Sequence, residues 1–582
     1  MNRIPAATIT TGLLVCFAIS AGCRYHPEPG ADLVLVNGRV YTLTWGEPSL
    51  DGSIAADAPH DNSGWHPDAE AVAVTDGRIV FVGSAGDAEA YLGSATRVMD
   101  VGGAVVLPGL VDSHAHIQEL GREQIQANLV GVRSEEEAID RVAKHAADVP
   151  PGEWIIGWGW DEGEWANRYP TAARLSERFP DNPVVLKSLH GFAVWGNRMA
   201  LAEAGIDRNT LDPEGGRIVR DESGNPSGVL IDRATNLLTA AIPETTDEKM
   251  KAFVLAGLET MARDGYVAVH QAGADTQVMR AFEELEAEGR LPIRVYAMIS
   301  LRDEPLCRRW IERGPKIEGS MLTVRSVKAY YDAALGSRGA RLLEDYSDRP
   351  GHRGVSGAEY GFDQELAAEM MQAGFQIGIH AIGDAGNRET LAFLESVISS
   401  SPETRALRHR MEHAQVIHPD DVGRFAPAGL IAAMQPPHCV EDKTWAEDRL
   451  GPDRVKGAYA WRTLRRAGVP LTFSADLAGS DHDIFYGLHA AVTRRDKERQ
   501  PPDGWFPEEA MTAEEALRGY INWSAYAAGW EDRTGVLKTG MWADITVTDI
   551  DPLAVGEIEP GRLLEGRILS TIVAGEVVFE GF

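Results

Sequence analysis

From Gly109 to about residue 536 the chain alternates short apolar runs with helical patterns, and this alternation limits the fold more than any other feature. Strand candidates are Val267-Ala268-Val269-His270, Ile293-Arg294-Val295-Tyr296, Thr323 to Lys328, Gln376-Ile377-Gly378-Ile379-His380 and Leu471 to Asp476; helical patterns run from Asp247 to Asp264 and from Phe362 to Gly374. Strands that alternate with helices are parallel strands joined by crossovers, which predicts an α/β fold. The span exceeds the roughly 250 residues of a bare eight-fold barrel, so a large insertion is expected near residues 150–240.

The two ends read differently. Leu33-Val34-Leu35-Val36, Val40-Tyr41-Thr42-Leu43, Ala71-Val72-Ala73-Val74 and Ile79-Val80-Phe81-Val82 are short strands, with Asn37-Gly38 and Asp76-Gly77 as hairpin turns. Ala543 to Val547 and Ile572 to Phe579 repeat the style. Residues 31–108 and 537–582 are therefore expected to build one small β domain. The unpatterned stretch between Leu43 and Ala71 reads as a surface loop.

The chain has 582 residues, 44% of them apolar, and a net charge of −31, which argues against nucleic acid or anionic lipid as a partner. Residues 1–22 carry one cation, Arg3, an apolar segment around Gly12 to Ile19, and small residues before Cys23. This pattern resembles a lipoprotein signal, with cleavage before Cys23 and lipidation of that thiol; an ordinary signal peptide is the alternative. Either predicts export, and the first places the protein on a membrane by its acyl chains, facing the periplasm or cell exterior. Beyond Cys16 and Cys23 only Cys307 and Cys439 remain, too few for a disulfide framework.

His114 and His116 stand two apart in Pro108-Gly109-Leu110-Val111-Asp112-Ser113-His114-Ala115-His116, at the end of an apolar run. Residues i and i+2 of a strand face the same side, so both imidazoles converge where the chain leaves the sheet. Imidazole is a common ligand of divalent transition metals, although a bare His-x-His also arises by accident. Other strand candidates end in metal-competent or proton-transfer residues: Lys328, His380, His413 and Asp476. Strand C-termini converge on one face of a barrel, and a βα unit averages about 30 residues. His380 and His413 stand about one unit apart, and His413 and Asp476 about two; the spacings suit strands 1, 4, 5, 6 and 8.

With Leu107 to His116, Ala334-Leu335-Gly336-Ser337-Arg338, His380-Ala381-Ile382-Gly383-Asp384, His413-Ala414-Gln415 and Gln435-Pro436-Pro437-His438, the chain resembles the amidohydrolase superfamily. Within it the similarity is to the YtcJ-like group that includes N-substituted formamide deformylases. The resemblance implies a (β/α)8 TIM barrel carrying a metal site, with a β-sandwich made from both chain ends. It further implies that His114 and His116 bind one divalent metal, that His380 and His413 bind a second, and that Lys328 bridges them as its carbamate with CO2. Zinc suits such ligands, with Mn, Fe, Co and Ni as alternatives and one or two ions expected. Asp476 is the expected catalytic proton shuttle for a water whose pKa the metal lowers. The chain departs from the family pattern after that Asp, where Asp476-Leu477-Ala478 lacks a Pro and leaves Asp481 as a rival. Asp332-Ala333 likewise replaces the usual Asp-Gly.

His190, His270 and His438 are candidates to line a substrate pocket, each with a structural role as its alternative. Trp158, Trp160 and Trp165 form either an aromatic wall over the site or the packing of the insertion. The expected activity is hydrolysis of a non-peptide amide or N-formyl bond in a small molecule. A deaminase or cyclic amidase on the same metal face is the enzymatic alternative, and a catalytically inactive lipid-anchored binding protein is the alternative of another class. Oligomeric state is not written in the sequence.

Overall fold

The computed structural model describes residues 30–582 apart from 162–164, 166–168, 190, 318 and 320. The expected signal segment and Cys23 lie outside the described residues. At the centre stand eight strands: β1 (Leu110–Ala115), β2 (Tyr266–Ala274), β3 (Arg294–Ser300), β4 (Leu322–Tyr330), β5 (Gln376–Ala381), β6 (Arg410–His413), β7 (Ile431–Met434) and β8 (Leu471–Phe473). They pair in chain order, every ladder is parallel, and the sheet curls into a nearly closed barrel. Strands covered on both faces need unbroken apolar runs rather than alternation, and β2 and β3 are buried almost throughout.

The closing edge between β1 and β8 is held by side chains. Asp112 accepts from the His114 amide at 3.0 Å and, across the seam, from the Ala475 amide at 3.0 Å. Ser113 Oγ donates to the Phe473 carbonyl at 2.8 Å, and the His116 amide donates to the Leu477 carbonyl at 2.8 Å. Outside the barrel, helix Ile117–Ile125 crosses helix Asp247–Arg263 at a point where only glycine fits. A Cβ on Gly121 would lie 1.6 Å from the Phe253 carbonyl oxygen, and one on Gly257 2.2 Å from that of Ile117.

Between those two helices the chain builds a separate six-stranded sheet. Its spatial order is Ala127–Asn128, Ile155–Trp160, Val184–Ser188, Ala193–Gly196, Pro226–Asp232 and Gly216–Arg220. It starts ahead of residue 150, because Ala127–Asn128 is a two-residue strand too short to show periodicity. The chain ends supply two further sheets. One contains Leu33–Val36, Ala71–Thr75, Arg78–Gly83 and Arg97–Asp100; the other joins Arg39–Val40 and Val105–Pro108 to Ile545–Thr548, Ile568–Val573 and Glu576–Glu580. Leu35, Val72, Val106, Ile545 and Val547 share the core between them. The stretch between Leu43 and Ala71 is not merely a surface loop: Trp45 and Trp65 are buried in the main core, and the Trp45 indole donates to Glu514 at 2.7 Å. Among the described residues no helix is long and apolar enough to cross a membrane.

Arg294, which opens β3, clamps barrel to sandwich. Its guanidinium makes two bonds of 2.7 and 2.8 Å to Asp544 and lies 3.8 Å from the Trp542 ring centroid, with both charges buried. Removing one member of a buried pair strands the other charge, so Asp544→Ala should lower unfolding free energy by about 3–5 kcal/mol, whereas Arg294→Met with Asp544→Leu should cost much less. Denaturant unfolding of the two variants beside the parent checks this.

Candidate metal centre

The site forms at the C-terminal mouth of the barrel, where side chains from different strands meet. His114 projects from β1, and His116 follows it at the start of the next helix, with ring centroids 5.6 Å apart. Lys328 on β4 is fully buried, with Nζ 3.1 Å from His114 Nε2. His380 on β5 and His413 at the end of β6 bring their rings to 4.4 Å. Asp476 follows β8 and reaches over the mouth. His413 and Asp476 both have positive φ, 71° and 60°, an uncommon conformation for non-glycine residues that recurs at functional sites.

Asp476 is the hub. Its Oδ1 lies 3.2 Å from His116 Nε2 and 3.6 Å from His114 Nε2, while Oδ2 lies 3.8 Å from His438 Nε2 and 3.9 Å from His413 Nδ1. Two donor sets result, His114–His116–Asp476 and His413–His438–Asp476, each with ligand atoms within 4.8 Å of one another. Imidazole nitrogens beside a carboxylate suit zinc and other divalent transition metals. His380 Nε2 is buried without a hydrogen-bond partner, 3.7 Å from Asp332 Oδ1, which further fits a ligand atom aimed at a cation. The residues present therefore fit a divalent metal centre.

Protonation favours the same use. Burial, reinforced by Lys328, lowers His114 to about 4, and burial holds His380 and His413 well below the ordinary imidazole range, so these rings keep a lone pair to give. Burial works against charge on Asp476, but His114, His116 and His413 outweigh it and hold the carboxyl well below its usual value. At His116 burial opposes the cation, and the Asp476 hydrogen bond and charge overcome it and raise the pKa. Burial brings the Lys328 ammonium down to about 8.

Beneath these groups lies a layer that sequence reasoning missed. Glu412 Oε2 accepts from His114 Nδ1 at 2.5 Å, which fixes the tautomer and leaves Nε2 facing the mouth. Arg410 holds the same carboxylate at 2.7 and 3.1 Å and donates to His270 Nδ1 at 3.0 Å. Burial alone would raise Glu412, but Arg410 and His114 outweigh it and keep it ionised. Gln435 Oε1 accepts from His413 Nδ1 at 2.9 Å. Asp332 accepts from the Ile382, Gly383 and Arg341 amides and so fixes the turn after β5. The available signal was Arg410-Met411-Glu412-His413, where opposite charges two apart in a buried strand call for each other.

The other sequence candidates separate. His438 stands at the site. His270 lies below it, fully buried against Tyr296 and Trp530 and engaged by Arg410, which makes it part of the support and not a pocket wall. Trp160 packs with Trp165 and Trp195 in the core of the six-stranded sheet and spends its indole N–H on the Leu186 carbonyl, so its bulk fills the insertion. His190 lies outside the described residues. Asp481, the rival to Asp476, pairs with Lys497 and belongs to neither donor set.

Residues 97–579 match the model of the amidohydrolase family. The chain is 32% identical over 518 residues to YtcJ of Bacillus subtilis (strain 168), a protein named as an amidohydrolase, covering 88% of this chain and 96% of that one. It is 27% identical over 532 residues to the N-substituted formamide deformylase of Arthrobacter pascens, covering 88% and 95%. The crystal structure of an uncharacterized metal-dependent hydrolase from Pyrococcus furiosus superimposes with a TM-score of 0.70 at 27% identity, covering 90% of this chain and 99% of that one. The chain belongs to the amidohydrolase family, and it is a metal-dependent hydrolase acting on carbon–nitrogen bonds.

Outer-shell carboxylates that orient a ligating imidazole are typically worth 10–100-fold in metal affinity. Glu412→Gln, which keeps the shape but loses the charge, should weaken the tightest-bound cation by that factor in a chelator competition while leaving the fold intact by circular dichroism.

Proposed function

We propose that this protein hydrolyses a non-peptide amide or N-formyl bond of a small molecule, releasing an amine and a carboxylic acid. The observation that carries the reading is Asp476, an ionised carboxylate set between two pairs of imidazoles at a barrel mouth. His114 and His116 would hold one divalent cation and His380 and His413 a second, and such a centre would supply a Lewis acid for the carbonyl oxygen and lower the pKa of water. Asp476 takes the proton of the attacking water and delivers it to the departing nitrogen, so the amine leaves neutral. His438, whose Nε2 lies 3.8 Å from Asp476 Oδ2, is the proposed substrate contact. The similarity to an N-substituted formamide deformylase supports the acyl class, and a formyl group is the smallest acyl that this chemistry can accept.

Lys328 enters as its carbamate: the neutral amine adds to CO2, a proton is released, and a buried cation becomes an anionic oxygen ligand. Burial supports this by lowering the pKa of the amine and so increasing its neutral fraction. Zinc is the metal proposed. The chain is further proposed to be exported and held to a membrane through lipidated Cys23.

Metal content and amine release test the reading together. With bicarbonate and zinc, the parent should turn over N-formyl amines and small amides and lose activity on chelation, with zinc restoring it. Asp476→Asn should retain metal and lose 10²–10⁴-fold in kcat, and Lys328→Ala should lose bound zinc by mass spectrometry. Metal-loaded parent with no turnover across formamides and amides would sink the acyl assignment. For the anchor, intact mass of membrane-extracted protein should show acyl chains that Cys23→Ser abolishes.

A further inference from the structure

Arg302 is a cation without an anion at the mouth of the barrel. It sits in the turn between β3 and the helix Glu304–Arg313, at the same end of the strands as the metal centre. The turn is fixed on both sides of it: the Leu301 amide donates to the Lys328 carbonyl at 2.9 Å and the Asp303 amide to the Ser300 carbonyl at 3.0 Å. Asp303 directs its own carboxylate to the Leu306 and Thr276 amides, at 3.0 and 2.8 Å, and so is not the partner of its neighbour. Among the described residues Arg302 forms no ion pair, and its one hydrogen bond, from Nη2 to the Tyr360 carbonyl, is long at 3.4 Å.

Two rings hold the guanidinium instead. Its centre lies 4.3 Å from the Tyr330 centroid and 5.3 Å from that of Tyr360. Such contacts at an exposed site are weak attractions, and they leave the N–H donors of the planar fork free. Tyr330 ends β4 and has little freedom to shift, since even a Cβ on Gly273 of β2 would lie 2.9 Å from its hydroxyl. The same ring has Lys328 Nζ at 5.0 Å and the His380 ring at 5.8 Å, so Arg302 is linked through one side chain to two residues of the site. Tyr360 closes the turn Gly357–Tyr360, which is tied down where the Gly357 amide donates to the Tyr331 carbonyl at 2.8 Å. Burial raises the Tyr330 phenol to about 12, and there the Arg302 charge opposes those of Asp476 and Glu119. The mouth therefore has a positive side and a negative side.

With 87 Asp and Glu against 56 Lys and Arg, acidic partners are in excess in this chain, yet fixed turns hold Arg302 out of ion-pairing reach of them. A guanidinium fork matches a carboxylate in shape as well as charge. We propose that Arg302 is a specificity-determining residue that binds a carboxylate of the substrate. The substrates are then amides bearing an acidic group a few bonds from the scissile nitrogen, as in N-formylated or N-acylated amino acids. Tyr330 and Tyr360 position the fork, and the polarity of the mouth orients the acidic group toward Arg302 and away from Asp476. The proposal rests on the reading of the site as an acyl hydrolase and gives its substrate a charge.

The test compares, on the zinc-loaded full chain, a series of N-formyl amino acids with their methyl esters, in which the carboxylate charge is masked. The parent should prefer the acids by about 10–100-fold in kcat/KM, the range expected of a charged hydrogen-bonded contact, and the preference should shrink as salt screens it. Arg302→Gln should raise KM for the acids by that factor while leaving the esters, kcat and bound zinc as in the parent. Arg302→Lys, which keeps the charge and loses the fork, should recover part of the difference. Equal use of acids and esters by the parent overturns the proposal. So does a loss shared by both in Arg302→Gln, which would make Arg302 a packing residue for the two tyrosines. If the zinc-loaded parent hydrolyses none of these compounds, equilibrium dialysis against the same pairs decides. Retention of the acids and not the esters, abolished in Arg302→Gln, upholds the carboxylate site while the acyl-hydrolase reading falls; retention of neither overturns the proposal as well.

Discussion

The geometry of the mouth depends on one carboxylate, that of Asp112. The eight-stranded sheet does not close by a backbone ladder between β1 and β8, so few bonds, among them Ser113 to the Phe473 carbonyl and the His116 amide to the Leu477 carbonyl, keep the strand carrying His114 beside the segment carrying Asp476. Asp112 ties the two most directly, accepting the His114 amide with one oxygen and the Ala475 amide with the other. Burial pushes this carboxyl up to about 7, with the two amides working against the rise. A buried carboxylate is costly unless it is bonded. Here its bonds join the two chain segments that must stay in register for His114, His116 and Asp476 to face a common point. Closure of the barrel and assembly of the site are the same event.

A second demand follows from placing so many imidazoles in a buried mouth. Each ring must be neutral and must present the correct nitrogen, and neither is guaranteed by its place on a strand. The chain meets the first demand by burial. It meets the second with an acceptor for one nitrogen of each ring, Glu412 for His114 Nδ1 and Gln435 for His413 Nδ1. Glu412 is an ion in the barrel interior, which requires Arg410, and Arg410 in turn occupies His270. The polar column from His270 to His114 is therefore a sequence of obligations that begins with one ligand nitrogen, and its members are as constrained as the ligands are.

Much of this was legible beforehand, for a physical reason. The alternation of apolar runs and helical patterns is imposed by a doubly covered parallel sheet, so the barrel showed in the sequence, and chemistry-bearing residues at several strand ends follow from where such barrels place their sites. The support layer was not visible in the same way, because Glu412 and Arg410 are far in sequence from His114 and make sense only once β6 lies across from β1. Trp160 was undecided for a related reason: a run of tryptophans fits a pocket wall and a sheet core equally, and its packing with Trp165 and Trp195 and its bond to the Leu186 carbonyl settle it as core. The buried Trp45 and Trp65 were hidden by the Gly, Pro and Asp around them, since a segment without periodicity can still be anchored by two large side chains.

Asp476 carries two duties that pull against each other. A carboxylate that neutralises cations must stay ionised, whereas one that relays a proton must accept it and give it up. The two oxygens divide these duties. Oδ1 lies against His116 at 3.2 Å and is the more firmly engaged, while Oδ2 stands 3.8–3.9 Å from His438 and His413. The looser oxygen has room to approach a reacting water, and its movement is limited by the backbone that Asp112 fixes one residue earlier. The positive φ of Asp476 belongs to the same compromise: an unfavourable backbone conformation, maintained by the seam, aims one side chain across the mouth at four imidazoles from β1, the start of the helix after it, β6 and the turn after β7.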